Sequence, residues 1–203
     1  MKNQEKIWNE LYKRGLNWRK ETFNIPEFIK NKLVLELGVG NGKSLKSILD
    51  LNPRHVTAVD FSKEAIFKAK DLAKSNNVSY VTEDFIKTKI KNKFDVIFCY
   101  YFLNNFKEND RKKIVRNIVS MLNKKGVVLF EDFGAGDIRQ KGKDIEHNTV
   151  EKQNGLICHF FTKKEVKELF SDFEVNIMEK NFSPIRKNRL IKRRIINAII
   201  RAR

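Results

Sequence analysis

The chain has 203 residues, 42 Lys+Arg against 25 Asp+Glu, and a net charge of +17. That length suits one domain, and no internal repeat or interdomain linker divides it. No apolar run reaches bilayer length and no secretory leader pattern is present, so a membrane-spanning or secreted protein is set aside and a cytoplasmic setting is expected. Two cysteines make no disulfide framework, and the three histidines do not join them at ligand spacing, so no metal is expected.

Trp8 and Tyr12 stand four apart on a predicted N-terminal helix, where they either cover a site or pack the helix onto the domain. Residues 33–42, Leu-Val-Leu-Glu-Leu-Gly-Val-Gly-Asn-Gly, form an apolar run, an acid and three alternate glycines. The run reads as a buried parallel strand, and the glycines let bare backbone turn sharply against a ligand. Lys43 breaks the dinucleotide spacing G-x-G-x-x-G, and a phosphate loop G-x-x-x-x-G-K-[ST] is absent. The spacing Glu36-x-Gly38-x-Gly40-x-Gly42 resembles instead the first motif of the Rossmann-like S-adenosylmethionine-dependent methyltransferases.

Later segments fit that resemblance in chain order. A second strand, 54–60, ends in Asp60, a carboxylate suited to two ribose hydroxyls. Ser62 caps a helix over 63–75 with Ala65, Ile66 and Ala69 inward. A third strand, 78–82, leads into Asp84 and Phe85, an acid and a ring suited to adenine. A fourth, 94–99, exits through Tyr100, Tyr101 and Phe102. A helix over 107–122 stops at Lys124-Lys125-Gly126, and a fifth strand covers 127–130. Residues 133–155 have no period and read as a long functional loop. Thr162 and Glu165 form a capping box for a helix to Phe170, followed by a sixth strand over 173–178. The tail 195–200 fits a helical face or, better for the fold, a seventh strand.

The predicted architecture is therefore α/β: one Rossmann-like domain with a seven-stranded, mostly parallel sheet in the order 3-2-1-4-5-7-6, helices on both faces. Residues 1–31 form an N-terminal helical extension, 32–180 the core, and 181–203 a basic tail with the last strand. Arg186, Lys187, Arg189, Lys192, Arg193 and Arg194 crowd that tail. They suit phosphate contacts with a polyanion, against the plainer reading of a lysine-rich solvated surface.

Over nearly its whole length the chain resembles the tRNA 3-methylcytidine methyltransferases of the anticodon loop. The similarity rests on Trp8-Asn9-Glu10-Leu11-Tyr12-Lys13-Arg14, Leu35 to Gly42, Val59-Asp60-Phe61-Ser62, Leu129 to Asp137, and His159-Phe160-Phe161-Thr162. Glu131 stands where that family has arginine and Phe133 where it has tyrosine. The resemblance implies S-adenosylmethionine as cofactor and tRNA as partner, with a seryl-tRNA synthetase helper known for some members. It implies Trp8 and Tyr12 over the cofactor, Glu36, Gly38 and Gly40 at its methionyl part, Asp60 at the ribose, Phe61, Asp84 and Phe85 at the base, and Tyr100 lining the pocket. Asp132 or Glu131 would stabilise the cationic product ring, and Tyr101 or Phe133 would sandwich the target base or serve as core aromatics. Two other classes stay open: a methyltransferase for a small molecule or protein side chain, and a binding module without catalysis.

Overall fold

Leu33–Leu37 (β1) is buried along almost its whole length because both its faces are apolar. In the computed structural model, which describes residues 2–16, 25–87, 90–186 and 189–202, it is an interior strand of the main sheet, paired on both sides. The strand order is β3-β2-β1-β4-β5-β12-β9, the predicted 3-2-1-4-5-7-6 once the short strands of a second and a third sheet are set aside.

The chain forms two compact units. The first comprises residues 1–98 and 120–126. It opens with α1 (Lys2–Lys13), closed by Gly15 at φ 81, and a 3-10 turn at Glu27–Ile29 precedes β1. Then follow α2 (Lys43–Leu49), β2 (His55–Asp60), α3 (Lys63–Leu72) and β3 (Val78–Thr82). β1, β2 and β3 pair in parallel, with Leu37 opposite Val59 and Asp60 opposite Thr82, so their carboxyl ends lie side by side. Ser62 caps α3 by accepting from Ala65 N at 3.1 Å, and Ala65, Ile66 and Ala69 are buried, as predicted. The helix ends at Leu72, three residues before its predicted end at Ser75.

Gly42 serves two needs at once. It caps α2 in the left-handed region at φ +83, and a Cβ there would lie 2.9 Å from Ala69 Cα. Only glycine lets α2 start this close to α3.

The second unit comprises residues 99–119 and 127–203. β4 (Phe94–Tyr100) ends in it, followed by a 3-10 turn at Leu103–Asn105 and α4 (Glu108–Ser120). β5 runs Leu122–Phe133, beginning before the predicted stop at 124–126: the exposed lysines Lys124 and Lys125 and the buried Gly126 sit within the strand. The segment predicted as a long loop is a three-stranded antiparallel sheet of β6 (Lys143–Glu146), β7 (Thr149–Glu151) and β8 (Ile157–His159). Strands of three or four residues are too short to show a period of two, which is why the sequence pattern is silent there. Val150, Cys158 and Phe160 form its apolar core with Phe133 and Ala135 packed on it.

α5 (Lys163–Leu169) is capped by Thr162, which accepts from Glu165 N at 3.1 Å. β9 (Phe173–Phe182) exceeds its predicted length, and β10 (Ile185–Arg186) and β11 (Arg189–Leu190) form a small hairpin. The ambiguous tail is a strand, β12 (Arg193–Ala202), antiparallel to β5 and β9 and lying between them.

Replacing Gly42 by alanine combines a left-handed backbone with a Cβ against main chain. Gly42→Ala is expected to lower stability by roughly 1–3 kcal/mol or more, read as a lower urea midpoint at unchanged slope. An unchanged midpoint would mean the helix contact is not as close as described.

Candidate active site

The first unit concentrates its polar groups at the shared carboxyl ends of β1, β2 and β3. The chain leaves β1 through Gly38, whose N–H donates to Val59 O at 2.8 Å, and Val39, which donates to the same oxygen at 3.1 Å. Gly38, Gly40 and Gly42 all have positive φ, at 68°, 55° and 83°. A Cβ on Gly40 would meet Tyr12 Oη at 2.8 Å, so the loop's bare backbone lies against the ring that covers it.

Two carboxylates sit beneath this loop. Glu36 is 3% exposed; its Oε1 accepts the Ser44 hydroxyl, and its Oε2 is buried with no hydrogen-bond partner. Burial pushes its carboxyl up to about 8, against the Ser44 hydrogen bond and helped by the Asp60 charge. Asp60 accepts Gly40 N through Oδ2 at 3.0 Å and Ser62 N through Oδ1 at 2.9 Å. Burial raises it to about 6 although those amides favour its charged form.

Trp8 and Tyr12 stack with centroids 5.8 Å apart, and Asn9 between them accepts the Ser62 hydroxyl at 2.7 Å. The pair packs α1 onto the unit, the plainer of its two sequence readings, and the same packing sets Tyr12 over Gly40. Asn9 and Ser44 are partners that no motif spacing announces. Phe61 is half-buried after β2. Asp84 turns into its own loop, accepting Ile86 N at 3.1 Å and facing Lys87 at 3.4 Å, while Phe85 is buried.

The second unit holds the remaining candidates. Tyr100 is half-buried at the end of β4, and Tyr101 adopts φ 49, a left-handed conformation rare for a bulky residue. Its N–H donates to Glu131 O at 2.7 Å, and Asn105 Nδ2 donates to its carbonyl at 3.0 Å. Asp132 is fully buried, with Oδ2 accepting Asn104 N at 3.0 Å and Oδ1 accepting Phe133 N at 2.9 Å. Burial pushes its carboxyl well above the ordinary range. The resemblance implies Asp132 or Glu131 at a growing positive charge; in the structure both Asp132 oxygens hold backbone. Glu131 beside it is only half-buried.

The basic tail is also more committed than its sequence suggests. Arg193 pairs with Asp137 at 3.0 Å, and Arg194 donates through its backbone to Asp137 and through Nη1 to Ala135 O. Lys192 is exposed, Lys187 lies outside the described residues, and only the backbone of Arg186 and Arg189 is described. A buried network was not legible at all: His159 bonds Thr149 through Nδ1 at 2.8 Å and Glu165 through Nε2 at 2.9 Å, and Glu165 reaches Arg111 at 3.3 Å. It is enclosed, with His159 1% exposed, and burial lowers the imidazole's pKa.

Residues 34–126 match the family described as Methyltransferase domain. The solved structure of a SAM-dependent methyltransferase from Anabaena variabilis superposes with a TM-score of 0.74 at 17% identity, covering 100% of this chain and 94% of that one. The chain has the class I methyltransferase fold. It is 27% identical over 144 residues to a malonyl-[acyl-carrier protein] O-methyltransferase of Bacillus anthracis, covering 67% of this chain and 52% of that protein. It is 26% identical to a tRNA N(3)-methylcytidine methyltransferase of Schizosaccharomyces pombe, covering 97% of this chain and 70% of that protein. The chain thus spans about half the length of the first of these relatives.

The donor set fits the cofactor of this fold. A buried carboxylate oxygen without a partner calls for a cation, and the bare Gly40 backbone above it lets Tyr12 Oη approach where a Cβ would stand 2.8 Å away.

The raised carboxyls set a pH dependence. Unfolded Glu36 ionises near its usual value and folded Glu36 only near 8, so the folded state binds more protons between those values and stability falls as pH rises through that window. Glu36→Gln is expected to flatten this fall and to be more stable than wild type by roughly 1–3 kcal/mol at pH 8, measured by urea denaturation, with near-equality at pH 5. A wild-type stability that climbs from pH 5 to 8 would contradict the burial of this group.

Proposed function

We propose that this chain is an S-adenosylmethionine-dependent methyltransferase acting on nucleic acid, with the ring N3 of a tRNA cytidine as the acceptor atom. The observation that carries the cofactor half is Glu36 Oε2, buried and partnerless beside a glycine backbone that Tyr12 covers. The cofactor supplies an electrophilic methyl group on a sulfonium sulfur. Gly38 and Gly40 seat its methionyl part, and Glu36 becomes fully ionised against its positive charge. Asp60 takes the ribose with the lone pairs its two amide bonds leave unused. Phe61, Asp84 and Phe85 border the adenine.

The acceptor half rests on how far the similarity extends. The match to the fission-yeast tRNA enzyme covers 97% of the chain, against 67% for the acyl-carrier enzyme, and the surplus of 42 basic over 25 acidic residues suits a polyanion. An unprotonated ring nitrogen needs no general base, so the protein's task is alignment, which can be worth roughly 7–11 kcal/mol. Asp132 serves that alignment by fixing the turn after β4 through Asn104 N, and Tyr101 is held in its strained conformation by the Glu131 carbonyl and the Asn105 side chain. Glu131, the half-exposed acid of the pair, is the group that offsets positive charge growing on the acceptor ring. Lys192 contributes a phosphate contact, while Arg193 shapes the surface through Asp137.

A second reading, methyl transfer to a carboxylate on a small molecule or carrier protein, is favoured by the 27% identity to the acyl-carrier enzyme. The two are separated by nucleoside mass spectrometry of total tRNA incubated with the protein and S-adenosylmethionine. The RNA reading predicts 3-methylcytidine, and predicts that oligonucleotide affinity falls steeply with added salt. Cofactor binding without any methylated nucleoside would move the assignment to the second reading. Deleting 186–203 is a poor test, because it removes β12 from between β5 and β9; Lys192→Glu leaves the strand in place.

A further inference from the structure

In the second unit the rings of Tyr101, Phe133 and Phe160 form a continuous group. Phe133 is 5.0 Å from Tyr101 at 47° and 6.0 Å from Phe160 in a stacked arrangement. The Arg139 guanidinium lies over Phe133, 4.6 Å from the ring centroid. Phe133 therefore cannot sandwich a ligand between itself and Tyr101 as things stand, since its neighbours already occupy it. Arg139 as a residue is half-exposed.

The geometry points to Arg139 as a stacking platform for a base of single-stranded nucleic acid, an inference that rests on the RNA reading above and assigns it a recognition residue. A guanidinium is planar and delocalised, so it lies on an aromatic ring with one side and takes a nucleobase on the other. The residue that carries it is held in place before any ligand arrives. Arg139 N donates to Asp137 Oδ1 at 2.9 Å, and Asp137 Oδ2 accepts Arg193 Nε at 3.0 Å and Arg194 N at 2.7 Å. The carbonyl of Arg139 accepts the Lys152 ammonium and Lys141 N. These bonds fix the Arg139 main chain and the Phe133 ring supports its side chain, so less ordering is left for binding to impose, which favours affinity.

Charge around the stack suits the sugar–phosphate chain on either side of such a base. Asp137 is enclosed and paired with Arg193, so it does not repel an anion. Lys152 donates to the Lys141 carbonyl at 2.8 Å, and Ile138 N donates to Lys192 O at 2.9 Å. These bonds bring Lys141, Lys152 and Lys192 close to Arg139, with Lys141 and Lys192 exposed. Lys152 is held by two carbonyls, which leaves Lys141 and Lys192 for phosphate, and a stacking cation beside such lysines is what sequence-tolerant single-strand binding requires.

The test separates stacking from charge. Fluorescence anisotropy of a short labelled oligocytidine RNA would be measured against the full chain, its Arg139→Lys and Arg139→Gln variants, and Lys192→Gln. Arg139→Lys keeps the charge and loses the plane, so it should weaken binding about 5- to 150-fold with an unchanged salt slope. Arg139→Gln should lose at least as much, whereas Lys192→Gln should lose less and reduce the salt slope by about one. S-adenosylmethionine affinity should match wild type in all three. Wild-type affinity in Arg139→Lys overturns the platform while leaving methyl transfer untouched. Weakening of Arg139→Lys that only tracks a lower melting temperature also overturns it. Loss of oligonucleotide affinity in a protein that methylates no RNA supports the platform and retires the catalytic reading instead.

Discussion

The first unit is organised around an uncomfortable burial: Glu36 and Asp60 lie together beneath a loop of positive-φ glycines, one with an unpartnered oxygen. A buried, unsatisfied carboxylate opposes folding, and the unit tolerates it because the surrounding strands are apolar and close-paired. Ser44 and the amides of Gly40 and Ser62 hold the remaining oxygens in place. The same arrangement is a preformed receptor for positive charge. Stability withheld in the free protein is returned when a cation reaches Glu36.

The parallel half of the fold was legible because buried parallel strands are continuous apolar runs and each ends in a chemically marked residue. Glu36, Asp60 and the glycines are read directly from that pattern, and Ser62 behaves as its cap position predicts. The second unit was less legible for identifiable reasons. β6, β7 and β8 are too short for periodicity, although Asn154-Gly155, with Gly155 at φ 80, was a usable hairpin signal. The residues that fix Tyr101, the Asn105 amide and the Glu131 carbonyl, act through hydrogen bonds that no spacing encodes. Glu165 illustrates the same point: its backbone obeys the capping box, while its carboxylate turns to His159 and Arg111.

Charge was the feature that sequence counting read least well. Arg193 and Arg194 look like a free basic tail in one dimension, yet in the sheet they hold Asp137 and the 134–140 segment. Their work is to position neighbours, Arg139 among them, so the surface available to a polyanion is set by fewer residues than the net charge of +17 suggests. Asp132 is a similar case, an acid at a strand end whose burial turns it from a surface group into a backbone anchor.

Calorimetric titration with S-adenosylmethionine at pH 7, run in two buffers of different ionisation enthalpy, tests the role of Glu36 most directly. With Glu36 near 8 in the free protein, binding a cation should release close to one proton per site. Glu36→Gln should bind roughly 10- to 150-fold more weakly and release none. Equal affinity and equal proton release in the two proteins would contradict the account.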